Sequence, residues 1–256
     1  MTKYILYEQP LNERIRTFLR IEYLFDMVYH HIDKTDPWSS RAAIQSILEL
    51  DDLLSRSDIK SEVIMELERH ATTLTTLHDK PGVDAKRLQN VLDNISDYLQ
   101  QLKDHSCLSG QVLKEDELFT SIKRRHAIPG GTCNFDLPNY HYWLNYPAAD
   151  RIEYLKNLLQ DTLIVRDSVS LALTIIRNST NPSSEVANGG FYQRPVESNL
   201  ACQLIRVKLP VDIGYFPEIS GGKHRFSIRF MEQTSTLGRP AQVDRDIEFE
   251  LHCCIL

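Results

Sequence analysis

The chain has 256 residues, 42% of them hydrophobic and 25% charged, a globular composition that excludes disorder over most of its length. Its formal net charge of −6 argues against a protein that coats nucleic acid through an overall basic excess, while leaving room for a local basic patch. No apolar run approaches the roughly 20 residues of a membrane-spanning helix.

The first ten residues lack the basic-then-apolar order of a signal peptide, so a cytoplasmic location is expected. The five cysteines, Cys107, Cys133, Cys202, Cys253 and Cys254, form an odd set with no C-x-x-C pair and read as reduced thiols. If Cys253 and Cys254 lie on a strand, they point to opposite faces.

Residues 3–8 alternate loosely and are rich in Tyr, Ile and Leu, which predicts a short strand stopped by Pro10. Asn12 is the expected N-cap of a helix to about residue 32, with Ile21, Leu24, Phe25, Val28 and Ile32 as its apolar stripe. A second helix fits 38–55, with Ile44, Ile47, Leu48 and Leu54 turned inward. Val63, Leu67, His70, Leu74 and Leu77 are spaced 4-3-4-3, and Leu88, Leu92, Ile95, Leu99 and Leu102 repeat that spacing. The turn signal Asp79-Lys80-Pro81-Gly82-Val83 lies between them, so an antiparallel helical hairpin follows, with His70 packed in its seam. A shorter helix is expected over 115–125, a break at Ile128-Pro129-Gly130-Gly131, a brief strand over 133–137 and one long helix over 150–177.

Residues 178–190, rich in Asn, Ser, Thr, Pro and Gly, read as a loop or linker. Beyond it the period becomes two. Ile205, Val207 and Leu209 share one strand face; Phe226, Ile228 and Phe230 another; Ile247, Phe249, Leu251 and Cys253 a third. These segments predict an antiparallel sheet that the N-terminal strand joins. The expected class is therefore α+β, with a helical domain over 11–180 and a β-strand domain over 181–256 that includes the strand within 1–10.

Candidate chemistry is sparse. The histidines have no partners at ligand spacing, so no metal is expected, and no cofactor either. There is no G-x-S-x-G elbow and no P-loop, so no catalysis is expected. Gly130-Gly131 and Gly221-Gly222 read as turns needing positive φ rather than phosphate cradles. The basic residues carry more. Arg225, Ser227 and Arg229 alternate with Phe226, Ile228 and Phe230, and Lys223 and His224 lead into that strand. Arg206 and Lys208 repeat the pattern on an earlier strand, which predicts a basic outer sheet face. Such a face is either ordinary solvated charge or a groove for an acidic partner, since arginine suits carboxylates. Arg16 and Arg20, four apart on the first helix, and Arg56 after the second would extend it if the helix packs against the sheet.

Three stretches resemble a known family. Tyr7-Glu8-Gln9-Pro10-Leu11-Asn12-Glu13-Arg14 through Arg20-Ile21-Glu22 looks like the opening of ZapD proteins. Ile128-Pro129-Gly130-Gly131, Phe135-Asp136-Leu137-Pro138 and His141-Tyr142-Trp143-Leu144 resemble their central signature. Tyr215-Phe216-Pro217-Glu218-Ile219-Ser220-Gly221 and Arg225-Phe226-Ser227-Ile228-Arg229-Phe230 are similar to their C-terminal strand region. The resemblance spans nearly the whole chain in family order. It implies a symmetric homodimer at the mid-cell division site that binds the C-terminal tail of the tubulin-like GTPase FtsZ, bundles protofilaments and supports the division ring. It assigns tail contacts to Arg16, Arg56, Arg225 and Arg229, and bundling to Arg20 and His141. Glu117 is acidic where relatives carry Arg, a departure within that second patch. The competing readings are an enzyme using His141 or the Gly130 loop, and a nucleic-acid-binding regulator using the arginine face.

Overall fold

The computed structural model describes residues 3–55, 58–78, 80–104, 107, 109–196, 202–222, 225–233 and 235–255. The fold is α+β, and its packing divides into two units: Met1–Phe18 with Leu173–Leu256, and Leu19–Ala172. Lys223, His224 and Arg56 lie outside the described residues, as does Asp79 of the predicted turn.

The helices form where apolar residues recur every three to four positions and a polar residue caps the start. Asn12 accepts from the Ile15 amide at 2.9 Å and opens α1 (Glu13–Ile32). Its predicted stripe of Ile21, Leu24, Phe25, Val28 and Ile32 is buried. Asp36 caps α2 (Pro37–Ser55) by accepting from the Ser39 amide at 2.9 Å, and Pro37 occupies the first turn, where its missing N–H costs nothing. Ile44, Ile47 and Leu48 are buried as expected, but the deepest leucine there is Leu50; Leu54 is only half-buried.

The paired stripes build the expected hairpin from α3 (Ile59–Thr75) and α4 (Ala85–Lys103), which pack on each other. Asp84 caps α4, accepting from the amides of Lys86 and Arg87. Val63, Leu67 and His70 are buried from one side and Leu88, Ile95 and Leu102 from the other, whereas Leu74, Leu77, Leu92 and Leu99 stay half-exposed. The hairpin is thus amphipathic within its own seam, each buried leucine contributing roughly 2 kcal/mol.

Three expectations for this region need correction. The helix predicted over 115–125 is two, α5 (Gln111–Glu115) and α6 (Glu117–Arg125), because Asp116 leaves the helical conformation to cap α6 through the Phe119 amide and accepts from the Tyr154 hydroxyl. Residues 133–137 are not a strand: turns chain Cys133 to Gly130 and Leu137 to Cys133 before α7 (Pro138–Leu144). The long helix is α8 (Ala148–Leu159), a 3₁₀ turn Gln160–Thr162, and α9 (Leu163–Arg177). At that turn the buried Thr162 hydroxyl donates to the Leu159 carbonyl, and Asp161 accepts from the Val112 amide, which tightens the helix locally.

The β unit holds two sheets rather than one. The first runs in the order β1 (Tyr4–Pro10), β4 (Cys202–Pro210), β8 (Ile247–Ile255), β2 (Ser183–Ala187). The second runs β3 (Phe191–Pro195), β6 (Arg225–Glu232), β5 (Tyr215–Gly221), with the short β7 (Ala241–Gln242) also on β6. All pairings are antiparallel. Ile205, Val207 and Leu209 of β4 and Ile247, Phe249 and Leu251 of β8 share one core with Phe226, Ile228 and Phe230 of β6. The Phe249 ring lies 5.1 Å from Phe230 and 5.3 Å from Tyr192, which ties one sheet to the other.

The predicted loop over 178–190 therefore contains a strand. β2 is an edge strand with a single deeply buried residue, the small Ala187, so its sequence carries little alternation to read.

Candidate functional site

The two-sheet arrangement changes the meaning of the alternating arginines. Core-facing positions on β4 and on β6 point toward each other, so their outward positions point in opposite directions. The expected single basic face does not exist. On the first sheet, Arg206 donates to Glu8 at 2.8 Å across the β1–β4 pairing, and Arg177 donates to the other Glu8 oxygen at 2.7 Å. All three side chains are at most 22% exposed, so this is an internal ion-pair network. Lys208 pairs with Glu250 at 3.2 Å and sits over the Tyr4 ring at 4.7 Å.

The outer face of the second sheet is different. Arg225 and Arg229 are exposed and form no ion pair among the described residues. Four residues apart on one strand, they are separated by about 13 Å. They line a cleft of about 450 Å³ with Phe191, Gln193, Ser220 and Ser227. Cross-strand register explains the set: Phe191 is opposite Arg229, and Ser227 lies between Gln193 and Ser220, so all share one face. The Arg229 guanidinium stands 6.0 Å from the Phe191 ring centroid. The cleft thus presents two cations at its ends, amide and hydroxyl groups between them, and an aromatic plate beside one cation.

Gly221 closes this face for a steric reason rather than through a positive φ. A Cβ there would collide with Leu11 Cδ2, so the missing side chain lets the residues leading into α1 pack against the end of the cleft. Gly130 does fit the predicted turn, with φ +73°.

The remaining predicted residues are dispersed. Arg16 is half-buried one turn into α1 and bonds Glu13 at 3.1 Å. Arg20 is exposed further along α1 and borders a shallow depression with Tyr23, Glu49 and Asp52. His141 is exposed on α7, its carbonyl accepting from Asn145. Glu117 is the exposed first residue of α6, where a carboxylate suits the helix N-terminus.

Sequence reasoning missed Phe191 and Gln193, whose five-residue strand follows directly on Gly189 and Gly190; that glycine pair was the available signal. It also missed Arg41, which donates to the Thr132 carbonyl at 3.3 Å and stacks over Tyr140 at 4.9 Å, tying α2 to the turn after Gly130. Among the described residues no three His, Cys, Asp or Glu side chains group as metal ligands, and no helix is long and apolar enough to cross a membrane.

Fold and site together define an α+β protein with an open, cation-ended surface cleft. Comparison with known proteins gives that architecture its family. Residues 19–229 match the ZapD family model, described as a cell division protein. Relatives named cell division protein ZapD align over almost full length: 40% identity with that of Methylococcus capsulatus, covering 100% of both chains, 36% with that of Coxiella burnetii, covering 98% and 97%, and 37% with that of Azoarcus sp., covering 98% and 100%. The chain belongs to the ZapD family of cell division proteins.

Proposed function

We propose that this protein acts in cell division by binding the C-terminal tail of FtsZ in the cleft on the outer face of the second sheet, and by cross-linking protofilaments as a homodimer with one cleft per subunit. The observation that carries this reading is the pair of exposed arginines, Arg225 and Arg229, held on one strand with no intramolecular ion pair among the described residues. An extended acidic peptide meets the requirements of such a cleft, because its carboxylates replace the water on the guanidinium groups. The family resemblance adds Arg16 and Arg56 as further tail contacts. Arg20 and His141 serve filament bundling at other points on the surface. The helical region supplies the dimer contacts, and the half-exposed Leu92 and Leu99 of the hairpin are consistent with that role. The reading places the protein in the cytoplasm at mid-cell and assigns it no catalytic turnover, no metal and no nucleic-acid partner.

Affinity for an FtsZ tail peptide, measured beside co-sedimentation with FtsZ filaments that have or lack the tail, tests this reading. Binding and pelleting that persist without the tail would overturn it. Light scattering gives the oligomeric state: a single species of about 30 kDa at micromolar concentration would remove the cross-linking mechanism, because one site cannot join two filaments.

A further inference from the structure

Near the end of the sandwich, β4 and β8 bring two thiols into one small cleft. Cys202 opens β4 opposite Ile255, and Cys253 lies opposite Ile205, so the two cysteines are diagonal neighbours across the pairing. The register shifts between Cys202 and Leu204, a bulge that re-aims the first residue of the strand. Both cysteines are half-buried and line the same cleft with Arg194, Pro195 and Phe226. The Cys202 thiol donates to the Leu204 carbonyl at 3.8 Å.

The groups facing Cys253 favour its anion. Arg194 of β3 lies beside it, itself 3.8 Å from Glu185, which partly offsets its charge. The neighbouring Cys202 thiol, with Arg194 adding to its effect, holds the Cys253 thiol below the usual range against the opposing effect of burial, while the proximity of Cys253 and burial push the Cys202 thiol up. Cys254, next in the chain, points to the opposite face, is fully buried and is pushed up to about 12, mainly by burial. A thiol whose anion is favoured, sharing a small surface cleft with a second thiol, is the arrangement of a peroxide-reactive pair.

We propose that Cys253 and Cys202 form a reversible oxidation site for small hydroperoxides. The Cys253 thiolate attacks the peroxide oxygen, the O–O bond breaks, and Cys253 becomes a sulfenic acid as the peroxide leaves as hydroxide or alkoxide. The Cys202 sulfur then attacks the sulfenic sulfur; a disulfide forms, and the departing hydroxyl leaves as water with the Cys202 proton. Two electrons pass from the thiols to the peroxide, and an external thiol reverses the step. The bond would tie the start of β4 to the end of β8, beside the strand that carries Phe191 and Gln193.

The test is peptide mapping of the full-length reduced protein after limited hydrogen peroxide. A Cys202–Cys253 linkage should form first. In Cys202→Ser, a sulfenic acid trapped with dimedone should sit on Cys253. Arg194→Gln should slow Cys253 alkylation several-fold, by roughly 3–10 times, without altering Cys107 or Cys133. Oxidation of Cys107 or Cys133 as fast as Cys253, or a first linkage through Cys254, overturns the proposal, and the unsubstituted protein alone decides both outcomes. The mapping does not involve FtsZ, so its failure leaves the tail-binding reading untouched.

Discussion

The two outer faces of the sandwich carry the same written pattern and have opposite electrostatic fates. Arg206 and Lys208 alternate with Ile205, Val207 and Leu209; Arg225 and Arg229 alternate with Phe226, Ile228 and Phe230. On the first sheet the cations are absorbed, because the neighbouring strands deliver Glu8 and Glu250. On the second, register places Phe191, Gln193 and the two serines around the arginines, and Glu218, opposite Arg229 on β5, forms no ion pair with it among the described residues. An alternating arginine is structural or available according to whether the carboxylate opposite it closes an ion pair: Glu8 does so with Arg206, and Glu218 does not with Arg229.

The largest effect should fall on the open face. Arg225→Glu and Arg229→Glu should each weaken tail-peptide binding by roughly 2–5 kcal/mol, the cost of losing one half of an interfacial charge pair. Bundling should collapse more steeply than single-peptide affinity, because two weak sites gain by avidity only when both engage. Isothermal titration and filament pelleting measure the two. If both variants bind and bundle like the parent, the open face is only solvated charge and the comparison loses its functional half. Binding by the parent should also fall as salt rises from about 0.05 to about 0.5 M, since exposed charges are screened beyond about 10 Å at 0.1 M and at shorter range as salt rises.

A comparable effect is expected where the helical unit buries an ionisable group. His70 is fully buried, and its Nε2 lies 3.4 Å from Glu66, which Arg69 binds in turn at 2.5 Å. Burial lowers His70 to about 4, only partly opposed by Glu66. The folded state thus holds His70 neutral below the unfolded value of 6.5. Its contribution to stability is complete above pH 6.5 and is lost as pH falls toward 4, by up to about 3 kcal/mol. Urea unfolding at pH 7 and pH 4.5 should show this loss in the parent and a smaller one in His70→Gln. Equal losses would mean that His70 carries none of the acid sensitivity.

Smaller still is the effect on the paired face. Glu8→Ala leaves Arg177 and Arg206 without their shared carboxylate and should cost roughly 2 kcal/mol, below the range for a fully buried pair because the network is partly exposed. Thermal or urea unfolding measures it, and tail affinity should not change. The smallest effect closes the comparison: Arg225→Ala should alter stability by about 0.5 kcal/mol or less. A large loss there, or none in Glu8→Ala, would reverse which face is structural.

Much of the architecture was legible before any tertiary structure. Heptad spacing around a turn signal specified the α3–α4 hairpin, because both helices must bury one stripe and the short connection leaves only an antiparallel return. Period-two segments specified β4, β6 and β8 and their core-facing residues. Motifs in family order pointed to the family itself. Three things were decided only in three dimensions. The number of sheets depends on which strands pair, and alternation states a strand's faces without naming its neighbours. The short elements, β2 and β3 and the breaks at Asp116 and at Gln160–Thr162, are held by single side-chain bonds and edge pairings too local to leave a periodic trace. The separation of Arg225 and Arg229 from Arg206 and Lys208 follows from sheet order and register, since the partner of a strand's side chain comes from far along the chain: Glu8 reaches Arg206 across 198 residues.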